Sequence, residues 1–143
     1  MESEIPPDGW SPLLALQRAA HATLHALAVR LAELHLTASE INVLANLADG
    51  RPRTATDLSA ATGTRPSTLT SVLDRLERRG HLVRGAHTSD RRAISIQLTP
   101  AGQAAAGTIR RAMAELEHQA LAGLPETTLA GLRVGLQALT EMV

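Results

Sequence analysis

The chain contains no cysteine, phenylalanine, tyrosine or lysine, and Trp10 is its one large aromatic residue. Without a thiol, disulfides, thiolate metal sites and thiol-based redox sensing are all excluded. Without aromatics, leucine and alanine have to build the core. All 14 basic residues are arginine, which reflects a GC-rich genome as much as a binding preference, so the choice of arginine carries no functional meaning by itself. No run of about 18 apolar residues occurs, which argues against a membrane-spanning helix. The opening Met-Glu-Ser-Glu-Ile-Pro-Pro is acidic where a secretory signal is basic and then apolar, so a cytoplasmic protein is expected. No glycine-rich phosphate loop, cysteine nucleophile or paired-carboxylate motif is present, and neither catalysis nor a cofactor is expected.

What is present is charge, unevenly placed. The formal net charge is zero, yet residues 51–92 hold nine arginines and four acids, net +5, and the rest of the chain is net −5. A basic middle between acidic flanks is the electrostatic footprint of a DNA-binding module, although a cluster of solvated arginines gives the same count.

At 143 residues the chain is expected to form one compact unit. Residues 1–9, with two prolines, a glycine and three acids, read as a loosely docked arm. Leu13, Leu16, Ala20, Leu24, Leu27, Leu31 and Leu34 then keep three- and four-residue spacing, predicting a long amphipathic helix of about six turns. Thr37 and Glu40 stand at capping-box spacing, and Asp49-Gly50 closes a second helix over 38–48 with Ile41, Leu44, Ala45 and Ala48 inward. Arg51-Pro52-Arg53 makes a turn. Thr54–Thr62 predicts a short third helix capped by Thr54 or Thr56 and broken by Gly63. Pro66 opens a fourth that runs to Gly80 with Leu69, Val72, Leu73 and Leu76 on one face.

Two helices joined around a glycine satisfy a helix-turn-helix and equally an ordinary helical hairpin. The following residues separate the two: His81–Arg84 is strand-like, 85–90 is turn-rich, and Ala93–Leu98 alternates with period two, which makes a β-hairpin wing. Thr99-Pro100 caps a long helix to about Gly123 with Ala105, Ile109, Ala112, Leu116 and Ala120 inward. Pro125 starts a last helix carrying Leu129, Leu132, Leu136, Leu139 and Val143. The fold class is mainly α with a small β-wing.

The segment from Ser67 to Gly80, followed by His81-Leu-Val-Arg84, resembles the recognition helix and first wing strand of the MarR family of transcriptional regulators. Asp90-Arg-Arg-Ala93 and Leu98-Thr-Pro-Ala-Gly102 resemble that family's wing signature and the start of its fifth helix. The resemblance implies a winged helix-turn-helix lobe over 37–99 and dimerisation helices over 10–36 and 100–143, together one unit over 10–143. It implies a homodimer whose first, fifth and sixth helices interlock, although these helices could instead pack on each other within one chain. It also implies a small anionic or aromatic effector that releases DNA, so that a repressor is expected.

With the leucine face of the fourth helix turned inward, Ser67, Thr70, Ser71, Asp74 and Arg78 lie opposite, and Thr68 and Arg75 at the margins. Arg65, Ser67, Thr68 and Ser71 are assigned to base or near-base contact, where small hydroxyls and the helix N-terminus favour close approach. Arg75 suits either a guanine or a phosphate. Asp74 cannot face phosphate unpaired and is expected to orient Arg75, Arg78 or a wing arginine. The family pattern places Arg92 in the minor groove, with Asp90 fixing it or the hairpin tip and Arg91 adding charge. Twofold symmetry then calls for an inverted-repeat operator with half-sites about 34 Å apart.

His21 and His25 stand at i and i+4, a spacing that can share Zn²⁺ with Glu33, Glu115, Glu117 or a partner-chain residue. His35 and His118 lie near in pattern, and all could instead be polar surface groups or line an organic-ligand pocket. A metal-responsive regulator, or a winged helix used for protein contact, are the competing readings.

Overall fold

The computed structural model describes residues 8–86 and 94–142. Most of the arm expected at 1–9, the wing-tip residues Asp90, Arg91 and Arg92, and Val143 therefore lie outside the described residues. The contacts divide the chain into two units, 1–112 and 113–143.

The first helix, α1 (Pro12–Arg30), opens with Pro12 in its first turn, and the Ser11 hydroxyl accepts from Leu14 N. The apolar period does not carry it to Leu34. After Arg30 come a turn of 3₁₀-helix at Ala32–Leu34 and then His35, whose φ of 52° is left-handed. Tertiary bonds hold this turn: the Arg79 guanidinium donates to the carbonyls of Leu34 and His35 at 2.9 and 2.8 Å. They satisfy oxygens that a continuing helix would have used, so local periodicity loses to a long-range anchor.

The helix α2 (Ala38–Leu47) starts with the expected capping box. Thr37 Oγ1 accepts from Glu40 N, and Glu40 Oε1 accepts from Thr37 N at 2.9 Å. Ile41 and Leu44 are buried as anticipated, but Val43 and Leu47 are buried too, while Ala45 and Ala48 are only half-buried. This helix is enclosed on more than one side, which a single stripe does not reveal.

Where a plain turn was expected, Arg53–Thr54 forms a short strand, β1. Helix α3 (Ala55–Thr62) is capped by Thr54, whose hydroxyl accepts from Asp57 N, and ends at Gly63 with φ 67°. Helix α4 (Pro66–Arg78) follows, and the turn after it uses Gly80 at φ 78°. Strands β2 (Leu82–Ala86) and β3 (Ile94–Leu98) pair antiparallel from Leu82 opposite Leu98 to Ala86 opposite Ile94. Arg53 and Thr54 of β1 pair with Ile96 and Ser95, giving a sheet in the order β1-β3-β2.

Thr99 caps α5 (Pro100–Leu121): its hydroxyl donates to Gly80 O and accepts from Gly102 N. Within the first unit Ala105, Ala106, Ile109 and Ala112 of this helix are buried with Leu58, Leu69, Leu76, Leu82 and Ile96. Full burial stabilises each such leucine or isoleucine by roughly 1.5–3 kcal/mol relative to exposure.

The second unit holds the end of α5 and α6 (Glu126–Glu141), which follows Pro125. The inward positions expected here are not filled within the chain. Leu116, Leu129 and Leu139 are half-buried, and Ala120, Leu132 and Leu136 are exposed. Their spacing is that of an apolar stripe, largely uncovered among the described residues of this unit.

Candidate nucleic-acid interface

The orientation of α4 is fixed by its apolar face. Leu69, Val72, Leu73 and Leu76 are each no more than 3% exposed, so helical geometry turns the opposite face to solvent. Ser67, Thr68, Thr70, Ser71 and Arg78 are all exposed there, with Arg65 exposed at the N-cap position. Thr70 Oγ1 donates to Pro66 O at 2.9 Å, and Ser71 Oγ donates to Ser67 O at 3.5 Å. Each hydroxyl thus bonds back to the preceding turn and keeps acceptor capacity outward. No side chain caps the start of α4, so its first-turn amides remain available to an anionic group beside this face.

Arg75, expected at the margin of this face, lies there. It is half-buried, and its Nε is enclosed with no hydrogen-bond partner among the described residues.

Asp74 finds its arginine on the wing strand rather than on its own helix. Arg84 Nη2 donates to Asp74 Oδ1 at 2.6 Å, and Arg84 Nε donates to Glu77 Oε2 at 3.0 Å. One guanidinium of β2 thereby spans two carboxylates of α4. The side-chain hydrogen bonds that Arg84 donates to Glu77 and Asp74 raise its pKa, and the bond to Glu77 holds that carboxyl below its usual range. Strand pairing and helix packing bring these three together, and neither is visible in local spacing.

Arg79 is another arginine to which the sequence assigned no role. Besides the Leu34 and His35 carbonyls, it approaches Glu40 Oε2 at 4.0 Å, and Glu40 is only 3% exposed. It anchors the end of α4 to the turn after α1. Nearby, His81 Nδ1 is enclosed without a hydrogen-bond partner among the described residues, and burial lowers its pKa, as does the charge of Arg79, with Glu40 and the Ala101 backbone opposing.

His21 and His25 are both exposed on α1. No cluster of three or more histidine, aspartate or glutamate residues suited to a metal ion forms among the described residues. No helix among the described residues is long and apolar enough to cross a membrane.

An outward hydroxyl-bearing helix, a short helix packed before it and a β-hairpin after it, joined in one sheet by the earlier strand β1, define a winged helix-turn-helix domain. Residues 34–93 match the model of the MarR family, so the winged helix-turn-helix of this chain is similar to that family's. Among solved structures, a probable transcriptional regulator from Pseudomonas aeruginosa is 29% identical, with a TM-score of 0.70, over 88% of this chain and 96% of its own. CouR from Rhodococcus jostii RHA1, solved with p-coumaroyl-CoA bound, is 26% identical with a TM-score of 0.80, over 88% of this chain and 89% of its own. The S. aureus MepR–DNA complex is 18% identical and shares the fold, at a TM-score of 0.79 over 94% of this chain and 99% of its own. No curated protein matches the chain.

Proposed function

We propose that this chain is a sequence-specific DNA-binding regulator of transcription that acts in the cytoplasm as a homodimer, a repressor released by a small organic ligand. The observation that carries this reading is the outer face of α4, where Ser67, Thr68, Thr70, Ser71 and Arg78 are exposed over a fully packed leucine face. Small hydroxyls let a helix backbone approach base edges, and the uncapped helix start favours a neighbouring phosphate.

In this reading Arg65, Ser67, Thr68, Thr70 and Ser71 lie in the major groove, Arg78 and the half-buried Arg75 meet flanking phosphates, and Asp90, Arg91 and Arg92 deliver the wing to the minor groove. Residues 37–99 form the DNA-binding lobe, and 10–36 with 100–143 form the dimer interface. The exposed leucines Leu13 and Leu24 on α1 and Leu132 and Leu136 on α6 support that assignment. The fold is one on which a DNA complex exists, that of MepR, and one on which a ligand is bound, p-coumaroyl-CoA in CouR.

The test is selection of bound fragments from random duplexes by the purified chain, repeated with candidate ligands. An inverted repeat with half-sites about one helical turn apart is expected. No preference over bulk genomic competitor at moderate ionic strength would sink the reading.

A further inference from the structure

The bridge from Arg84 to Asp74 and Glu77 is out of place on a surface meant for DNA. Two carboxylates point from α4 toward the wing, and their side chains are 46% and 42% exposed. Asp74 belongs to the outer face, one turn beyond Thr70 and Ser71. Phosphates flanking an inserted helix fall within the 8–10 Å over which charges still feel one another at ordinary salt, so two free carboxylates there repel the duplex. Arg84 is the cation at hand. It is also poorly free to bind DNA, because its Nε and Nη2 are already committed and its side chain is only 27% exposed. Exchanging two charge-assisted bonds for one phosphate contact gains little.

We infer that Arg84 is a positioning residue of the DNA interface: it ties β2 to the recognition helix and neutralises Asp74 and Glu77, and it does not itself contact DNA. The inference rests on the DNA-binding reading above and adds to it the setting of the angle between helix and wing. Arg84 bonds residues one helical turn apart on α4, so a single planar group fixes both position and rotation of β2 against the helix. An ammonium group, a point charge without the planar fork, cannot reproduce both bonds in that geometry.

The experiment uses the full-length protein and its selected duplex, titrated at several salt concentrations. Four forms are compared: wild type, Arg84→Ala, the pair Asp74→Asn with Glu77→Gln, and the triple variant combining all three. Arg84→Ala is expected to weaken binding by about tenfold or more, because it uncovers both carboxylates. The triple variant is expected to bind within about threefold of the Asp74→Asn, Glu77→Gln pair and with the same salt dependence, since Arg84 has nothing left to neutralise.

If Arg84 meets a phosphate, the triple variant instead binds more weakly than the pair, and its log–log salt slope falls by about one. That result overturns the inference, as does an Arg84→Ala variant that binds like wild type. A merely structural role lowers the melting temperature of Arg84→Ala without recovery of DNA affinity in the triple variant, which also overturns it. Failure of the wild type to select any duplex removes the functional reading first, so the two failures are distinguishable.

Discussion

Gly102, in the first turn of α5, lies so close to His81 that a Cβ built on it would stand 1.8 Å from the His81 carbonyl oxygen. The same carbonyl accepts from Thr99 N at 3.0 Å, so it cannot swing aside without losing that bond. The glycine in Leu98-Thr-Pro-Ala-Gly102 is therefore required by close approach of the backbone leaving α4.

Replacing Gly102 by alanine should destabilise the protein although the residue is helical. In an open helix the change gains about 0.5–1 kcal/mol. Here the backbone has to shift, and a net loss of about 1–3 kcal/mol is expected in urea denaturation. A rise in the unfolding midpoint contradicts the close approach.

His81 gives a pH dependence of definite sign. Burial and the neighbouring Arg79 lower its folded pKa from the ordinary 6.5, against the smaller opposing influence of Glu40. The unfolded chain then binds more protons than the folded one between that lowered value and 6.5, so stability declines as pH falls through this window. His81→Gln is expected to flatten the part of the stability profile just below pH 6.5, measured as unfolding midpoints in matched buffers. An identical profile for the variant would show that His81 does not contribute.

The exposed leucines of α6 bear on the oligomeric state. Light scattering is expected to give the mass of two chains, and Leu132→Asp to shift the protein toward one, because a buried charge in an apolar interface is costly. A wild-type protein that stays monomeric at micromolar concentration rejects the proposed interface.

At the wing, Arg92→Ala is expected to weaken binding to the selected duplex by at least about tenfold in a salt-matched titration. Equal affinity removes Arg92 from the proposed contacts.

The sequence reveals features whose cause is local. Thr37 with Glu40, Thr54, Gly63, Pro66, Gly80 and Thr99 each mark a boundary because a cap or a positive φ depends on neighbouring residues alone. The buried face of α4, and with it the outward set from Ser67 to Arg78, follows from period alone. What stayed hidden depends on distant partners. Two residues of β1 have no period to display, and they are strand only because β3 lies beside them. The end of α1 at Arg30 answers to Arg79, and of the partners expected for Asp74 only packing decides that it takes a wing arginine, Arg84. Val43 and Leu47 are apolar in the sequence, but that α2 is enclosed on more than one side shows only in the packing.

The strand order β1-β3-β2 puts the last-made strand in the middle. During synthesis, neither Arg53–Thr54 nor Leu82–Ala86 has a ladder to join until residues 94–98 have left the ribosome, after all the residues of α2, α3 and α4. Completion of the sheet thus serves as the closing latch of the lobe, and a nascent chain cut short before residue 94 is left with two orphan strands.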